Sequence, residues 1–222
     1  MIKLVVFDMD GVLTDCKSSW YFVHRYFNTD NIENIRLFNE GKIDYPTFIY
    51  KDVMLWKNKD PFLSIEKLKE IYSKMPLMNG AEETVEMLKK NGKKIAIITG
   101  GLDILAEIVS KRLGIEIYYA NGLEVDENGI ITGRPKMVVN PYRKDIALLN
   151  LLENLKISKR ETVAIGDGEV DVPMFRLVEK SIAFDPLDES VEKNAKIVIK
   201  KKDLREILPY VLSTDPESSS NL

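Results

Sequence analysis

The stretch VVFDMDGVLTD, residues 5–15, decides the fold and raises the first question about this chain. Its opening run of β-branched and aromatic residues is typical of a buried strand. The run ends in two aspartates, Asp8 and Asp10, followed by Gly11. Burying a carboxylate is costly unless another group pairs with it or a metal neutralises it. The stretch therefore predicts a strand end where other residues, or a metal ion, must offset negative charge.

The composition limits the class of protein. The chain has 222 residues, 45% of them apolar, enough for one domain or one domain with an insertion. The net charge of −3 gives no general attraction to nucleic acid or to an acidic membrane, so neither is expected as a partner. The single cysteine, Cys16, excludes an internal disulfide framework. No apolar stretch approaches the roughly 20 residues of a membrane span. The short apolar run at the N-terminus is broken by Asp8, unlike a signal peptide, so we expect a cytoplasmic protein.

From Gly80 onward, apolar strand-like runs alternate with amphipathic helix-like runs. KKIAIITG (93–100) is typical of a buried strand, and LDILAEIVSKRLG (102–114) is typical of the helix that follows it. Alternating residues around Asn128-Gly129 predict a β-hairpin. Continuous apolar strands separated by helices indicate a parallel sheet covered on both faces. We therefore predict an α/β fold with a doubly wound, Rossmann-like parallel sheet.

Residues 15–76 have a different character. They are rich in aromatic residues at helical spacing and contain no convincing strand. Four helices are predicted there, in SSWYFVHRYFN, NIENIRLFNE, YPTFIYKDVMLWK and SIEKLKEIYSKM. Because they interrupt the chain after its first strand, we predict a helical cap inserted into a core of residues 1–14 and 77–212. The polar tail, residues 213–222, is expected to be disordered.

Polar groups follow several of the predicted strands. In open α/β sheets, ligands bind at the carboxyl ends of the strands. The groups expected at that edge are Asp8, Asp10, Thr99, Gly100, Gly101, Lys144, Asp167 and Asp171. Each alone has an ordinary structural explanation, such as an Asp-Gly turn or a charge at a helix N-terminus. Together, these carboxylates, amides, hydroxyl and ammonium are the groups that Mg²⁺ and a phosphate require.

These motifs resemble those of a known family. DMDGVLTD (8–15), TGG (99–101), Lys144 and GDGEVD (166–171) are similar, in order and spacing, to the four motifs of the haloacid dehalogenase superfamily of phosphatases. The similarity extends over nearly the whole chain, and the helical insertion resembles that superfamily's first type of cap. Other stretches, such as NGAEETVEMLKKNG, look most like the phosphoserine phosphatase branch.

The resemblance implies a role for each motif residue. Asp8 would be the nucleophile that forms an aspartyl-phosphate, and Asp10 would protonate the leaving alcohol and then activate water. The implied Mg²⁺ ligands are Asp8, the backbone carbonyl of Asp10, Asp167 and Asp171, the last directly or through water. The implied phosphate-binding residues are Asp8, Gly11, Thr99, Gly100 and Lys144. The presence of Asp10 is an argument against dehalogenase chemistry, which needs no such acid.

Two cap residues are candidates for substrate specificity. Asp52 lies on the apolar stripe of its predicted helix and therefore needs a partner, either in another helix or in the substrate. Phosphoserine phosphatases carry an arginine where this chain has Asp52, and a glutamate where it has Lys17. Lys17 and Asp52 could pair with each other, or could hold a carboxylate and an ammonium in exchanged positions. His24, the only histidine, is expected to have a structural or surface role and not a catalytic one.

The sequence thus predicts a Mg²⁺-dependent enzyme that hydrolyses a small phosphorylated metabolite and acts as a monomer or homodimer. A phosphotransferase or phosphomutase with the same aspartyl-phosphate is an alternative. So is a non-catalytic regulatory protein that binds metal and phosphate.

Overall fold

A seven-stranded sheet forms the centre of the structure, a computed structural model that describes residues 1–213. The strands are β1 (Leu4–Phe7), β2 (Lys94–Leu102), β3 (Ile117–Val125), β4 (Ile131–Lys136), β5 (Thr162–Gly166), β6 (Lys180–Phe184) and β7 (Ile197–Ile199). Their order in space is β4-β3-β2-β1-β5-β6-β7, and all neighbours are parallel except the β3-β4 pair. The β3-β4 pair is the hairpin predicted around Asn128-Gly129, and Gly129 has the positive φ of 77° that such a turn favours. The predicted α/β class is confirmed.

Helices separate the parallel strands and cover both faces of the sheet. Those of the core are α5 (Ala81–Lys90), α6 (Asp103–Leu113), α7 (Lys144–Leu155), α8 (Val172–Leu177), α9 (Glu189–Asn194) and α10 (Leu208–Leu212). The four residues of β1 are all buried, and alternate ones point to opposite faces. Val5 and Phe7 belong to the apolar cluster that includes α5 and α6, whereas Leu4 and Val6 belong to the cluster that includes α7 and α8. This arrangement explains why β1 is apolar throughout.

The four helices predicted between β1 and β2 are present. They are α1 (Ser19–Phe27), α2 (Ile32–Asn39), α3 (Tyr45–Lys57) and α4 (Ile65–Tyr72). Side chains of Ser18, Asp44 and Ser64 accept hydrogen bonds from the first turns of α1, α3 and α4. Such N-caps satisfy backbone N–H groups that have no partner inside the helix, so the local sequence fixes where these three helices begin.

Strand β2 is longer than predicted. It continues through Leu102, and its register on β3 shifts between Ile98 and Leu102. Near the end of the described residues, a 3₁₀ turn over Leu204–Ile207 comes directly before α10. The predicted disordered tail lies outside the described residues, apart from Ser213. Within residues 1–213, every helix is too short or too polar to span a bilayer.

Candidate active site

The carboxyl ends of β2, β1 and β5 form the floor of the site. These three strands are neighbours at the middle of the sheet, so residues that follow them come together. Asp8 follows β1, and its amide donates to the Ile165 carbonyl of β5 at 2.8 Å. Asp167 follows β5 directly, and Thr99 lies near the end of β2. The structure thus brings together the strand-end groups that the sequence predicts.

A tight turn after β1 brings Asp10 back toward this floor. The Met9 carbonyl accepts hydrogen bonds from the amides of Leu13 and Thr14, and Gly11 has a φ of 72°. A Cβ atom on Gly11 would lie 2.0 Å from Oδ2 of Asp167, so only glycine fits there. The Gly11 amide donates to the Cys16 carbonyl at 2.7 Å. The expectation that Gly11 binds phosphate is therefore corrected, because its amide is already used and its role is conformational.

Four aspartates and one lysine form a group that we call the core cluster: Asp8, Asp10, Lys144, Asp167 and Asp171, of which all but the half-buried Asp10 are buried. The Lys144 ammonium, at the start of α7, lies 2.7 Å from Asp8 Oδ1 and 2.7 Å from Asp171 Oδ1. Asp171 Oδ2 accepts from the amides of Asp167 (3.0 Å) and Gly168 (3.1 Å). Both oxygens of Asp171 thus have protein partners, so this residue holds Lys144 and the loop after β5 in place.

Burial dominates the electrostatics of the core cluster. Burial raises the pKa of Asp8 well above its usual range, and repulsion from Asp171 adds to the effect. Burial also raises the pKa of Asp167 to about 6, although Lys17 opposes the shift. For Lys144, burial alone would lower the pKa, but Asp171 and Asp8 hold it above its ordinary value. The cluster therefore contains a firmly protonated lysine and carboxylates whose ionisation is disfavoured.

Asp10 has one fixed and one open carboxylate oxygen. Its Oδ2 accepts from both the amide (2.8 Å) and the hydroxyl (2.7 Å) of Ser19, at the start of α1. Its Oδ1 is buried and has no hydrogen-bond partner. Burial raises the pKa of Asp10, and the Ser19 bonds only partly oppose this shift. A carboxyl with these properties can hold and transfer a proton from a defined position.

The segment of β2 predicted to bind phosphate lies across the floor from Asp167. Thr99 is buried, and its Oγ1 accepts from the Gly101 amide at 3.0 Å. The Gly100 carbonyl accepts from the Tyr45 hydroxyl of α3 at 3.0 Å and from Asn121 of β3 at 3.2 Å. The cap thus contacts the phosphate segment directly through Tyr45.

Lys17 lies at the floor of the site, at the entrance to the cap. Its ammonium is 3.0 Å from Asp167 Oδ2, 3.0 Å from Asp185 Oδ2 and 2.7 Å from the Asp185 carbonyl. Lys17 therefore pairs with the core and not with Asp52, and this part of the specificity hypothesis is corrected. Three oxygens within hydrogen-bonding distance use the capacity of its ammonium.

Asp52 is fully buried inside the cap, away from the pocket. Its Oδ2 accepts from Asn31 at 2.7 Å and lies 3.3 Å from His24 Nε2, and its Oδ1 accepts from Asn34 at 2.7 Å. The Trp56 indole N–H, which can only donate, lies 3.1 Å from His24 Nδ1, so the His24 proton is on Nε2 and faces Asp52. We call these five residues the cap cluster. The predicted contact between Asp52 and substrate is corrected, because Asp52 lies outside the cavity and both of its oxygens already have protein partners.

A cavity of about 310 Å³ lies between the core cluster and the cap. Its floor is polar. Its walls are lined by Trp20, Ile35, Phe38, Tyr45, Phe48, Pro141, Tyr142 and Leu187. Ligand pockets range from about 300 to 1,000 Å³, so this cavity suits a small molecule.

The floor also fits a hard divalent cation. Asp8, Asp167 and Asp171 each place one oxygen within 4.8 Å of the others. Such carboxylate oxygens are the ligands that Mg²⁺ and similar ions prefer. A dication would also favour the ionised state of Asp8 and Asp167, which burial disfavours.

The fold and site define a class of protein. A sequence model of the haloacid dehalogenase-like hydrolase family matches residues 2–178, and the chain belongs to this family. It is 33% identical over 216 residues to the phosphoserine phosphatase of Methanocaldococcus jannaschii, and the alignment covers 94% of this chain and 97% of that relative. It is 30% identical to the phosphoserine phosphatase of Wolinella succinogenes, in an alignment that covers 95% of this chain and 100% of that relative.

Solved structures agree with these sequence relatives. A substrate-bound phosphoserine phosphatase complex superimposes with a TM-score of 0.80 at 31% identity, covering 95% of this chain and 99% of that one. The predicted family and hydrolase fold are confirmed. The findings also support the enzyme class predicted from the sequence, a phosphoric monoester hydrolase of this family.

Three contributors to the site were not predicted. They are Ser19, which fixes Asp10, Tyr45, which bonds to Gly100, and Asp185, which holds Lys17. Tyr45 is part of the apolar stripe on α3, a signal of burial but not of its hydroxyl's partner. Ser19 and Asp185 carry no pattern of their own, because their contacts depend on how the loops fold.

Proposed function

We propose that the chain hydrolyses a small phosphate monoester in two steps, with Asp8 as the nucleophile and Mg²⁺ as the metal. The observation that carries this proposal is the pair at the end of β1. Asp8 is held by Lys144, and Asp10 keeps one buried oxygen open while Ser19 fixes the other. One carboxylate is thereby suited to attack and the other to move protons.

In the first step, an Asp8 carboxylate oxygen attacks phosphorus, and the bond from phosphorus to the ester oxygen breaks. Asp10, protonated through its raised pKa, gives its proton to the departing alkoxide, which leaves as a neutral alcohol. In the second step, Asp10 takes a proton from a water molecule that attacks the phosphorus. The aspartyl-phosphate bond breaks, and Asp8 and inorganic phosphate are released.

The remaining floor residues hold the phosphoryl group and balance its charge. Thr99 and Gly100 would donate to phosphoryl oxygens from β2. Lys144, kept protonated by Asp8 and Asp171, would stabilise negative charge that develops during transfer. Asp171 acts through Lys144 and the loop after β5, because its oxygens already accept from these groups.

Mg²⁺ would be held by Asp8, Asp167 and the backbone carbonyl of Asp10, and Asp171, whose oxygens already have protein partners, would contribute through water. When bound, it would neutralise charge shared by these carboxylates and the substrate phosphate.

The test is release of inorganic phosphate from a panel of small phosphate esters, with Mg²⁺ or with chelator. We expect metal-dependent turnover that falls by about four orders of magnitude or more in Asp8→Asn, because the nucleophile is lost. Asp203→Asn is the matched control: this aspartate is also buried but lies outside the cavity, and its variant should keep wild-type turnover.

Two other results would contradict the proposal. If alcohol is released but an added alcohol acceptor takes up most of the phosphate, the enzyme is a phosphotransferase. Binding of Mg²⁺ and phosphate without turnover of any ester would indicate a regulatory binding protein.

A further inference from the structure

The walls of the cavity are apolar above the phosphate floor. Four aromatic rings from two parts of the chain form a continuous surface around Phe38 of α2. Its ring centroid lies 5.3 Å from Phe48, 5.9 Å from Tyr45 and 5.7 Å from Tyr142. Phe48 and Tyr45 belong to the cap, whereas Tyr142 precedes α7 of the core. Both the cap and the core thus contribute aromatic rings to the lining of the cavity.

The charged residues that line this cavity, within residues 1–213, all lie at its floor, and both lysines among them are paired with carboxylates. They are Asp8, Asp10, Lys17, Lys144 and Asp167. Lys144 is held by Asp8 and Asp171, and Lys17 by Asp167 and Asp185. The uncharged polar side chains on the lining outside the floor are few, among them Ser18 and Asn39.

This distribution bears on the part of the substrate that carries the phosphate. The phosphate ester of a free amino acid bears both an ammonium and a carboxylate close to its ester oxygen. Placed against these rings, the carboxylate would lose water and gain no opposite charge, and the ammonium would gain only a cation–π contact in exchange for its water, so the pair opposes binding. An uncharged group with an apolar face would instead bury surface against the rings, which favours binding.

The two specificity candidates of the cap do not alter this conclusion. Asp52 faces the cap cluster, so it is not available to a substrate ammonium. Lys17 retains two oxygens of Asp185 as partners even where Asp167 binds a metal, so it stays at the floor.

We propose that the preferred substrate is the phosphate monoester of an uncharged alcohol with an apolar face about the size of one aromatic ring, in contrast to an amino-acid phosphate. This inference rests on the proposed phosphatase function. Phe38 would be the central specificity residue, because it contacts the other three rings.

The first experiment compares benzyl phosphate with phosphoserine, both esters of primary alcohols, at saturating Mg²⁺. We expect kcat/KM for benzyl phosphate to be at least tenfold higher. Phe38→Ala should lower kcat/KM for benzyl phosphate about tenfold, mainly through KM, and the loss for methyl phosphate, which has no ring to contact, should be clearly smaller. The matched control is Phe62→Ala, which removes a cap aromatic that is 78% exposed and outside the cavity, and it should change neither value.

A binding measurement separates failure of this inference from failure of the phosphatase function. Calorimetry with Mg²⁺ would compare two non-hydrolysable phosphonates, benzylphosphonate and 2-amino-3-phosphonopropionate. We expect at least tenfold tighter binding of benzylphosphonate, whether or not any ester is turned over. Equal or tighter binding of the amino-acid phosphonate would overturn the inference. So would faster turnover of phosphoserine or of a hexose phosphate than of benzyl phosphate, although either would leave the phosphatase function intact.

Discussion

The molecule contains two buried clusters of polar residues that differ in how completely they are paired. In the cap cluster, Asp52 accepts from two asparagines and faces the Nε2 proton of His24. In the core cluster, Asp10 has an oxygen without a partner, and burial raises the pKa of three of the four aspartates. Buried polar groups are usually satisfied, so the incomplete cluster is the one with capacity left for a ligand. The complete cluster serves to hold helices together.

The strongest test of this contrast after loss of the nucleophile is Asp10→Asn. An amide cannot carry the proton, so we expect kcat to fall by about 10²- to 10⁴-fold, the usual contribution of a general acid and base. Ser19→Ala keeps the Asp10 carboxyl but removes the hydrogen bond from the Ser19 hydroxyl to its Oδ2, so it should lower kcat less. The burst of 4-nitrophenol from 4-nitrophenyl phosphate reports the first step alone, and an activated leaving group should make that step less dependent on Asp10, so Asp10→Asn should slow the burst much less than it slows alcohol release from an ordinary ester. Equal losses in this first step on activated and ordinary esters would contradict the role of Asp10 as the acid.

The cap cluster predicts a loss of stability, not of chemistry. Helix α2 lines the cavity, yet Asn34 is its single buried residue, and Asn34 donates to Asp52. Asp52→Asn replaces one accepting oxygen by an NH₂ group that faces the donors of Asn31, Asn34 and His24, so we expect the free energy of unfolding to fall by about 2–3 kcal/mol. Urea unfolding measures this change, and the exposed Asp30→Asn should be close to wild type. A stable Asp52→Asn protein with altered substrate preference would instead make Asp52 a specificity residue.

The core cluster predicts an unusual pH dependence for the metal-free protein. The pKa of Asp167 is raised from 3.8 to about 6, so the native state binds a proton more tightly than the unfolded chain does. This stabilising contribution is complete below about pH 4 and is lost as pH rises through about 6. Two pKa units correspond to up to about 3 kcal/mol.

Urea unfolding with chelator at pH 5 and pH 7.5 measures this loss. Mg²⁺ should restore stability at the higher pH, because it binds the ionised carboxylates. Asp167→Asn should remove this part of the pH dependence and so isolate this carboxyl from other titrating groups. A metal-free wild type and Asp167→Asn with parallel pH profiles would show that the cluster is not electrostatically incomplete.

The two clusters also show what the sequence could predict. Asp8 and Asp167 follow strands, and Thr99 lies near the end of another. Parallel strands bring their carboxyl ends to one edge, so pattern alone places these residues together. Asp52 is different: its helical position indicates an inward face, but the choice between substrate and protein partner depends on how α2 packs. Asn31 and Asn34 carry no signal that they would supply that partner.

The same limit applies to Lys17. Its partner Asp185 has a positive φ of 42°, a loop conformation that residue types alone do not reveal. Charge at positions 17 and 52 was evident from the sequence, but which opposite charge each would meet was not.

The smallest expected effect concerns a hydrogen bond between the cap and the core. The Tyr45 hydroxyl of the cap donates to the Gly100 carbonyl, in the part of β2 that is proposed to bind phosphate. Burial raises the pKa of Tyr45, so its hydroxyl stays protonated and able to donate. Tyr45→Phe keeps the ring and removes only this bond, a loss of about 0.5–1.5 kcal/mol. We expect kcat/KM to fall about threefold to tenfold, with kcat affected as much as KM, because Gly100 helps to position the phosphoryl group. Tyr50→Phe, on the exposed side of the same helix, is the control. If Tyr45→Phe lowers the free energy of unfolding but leaves kcat unchanged, this hydrogen bond stabilises the fold without positioning the phosphoryl group. The cap would then contribute to substrate recognition through its apolar wall alone.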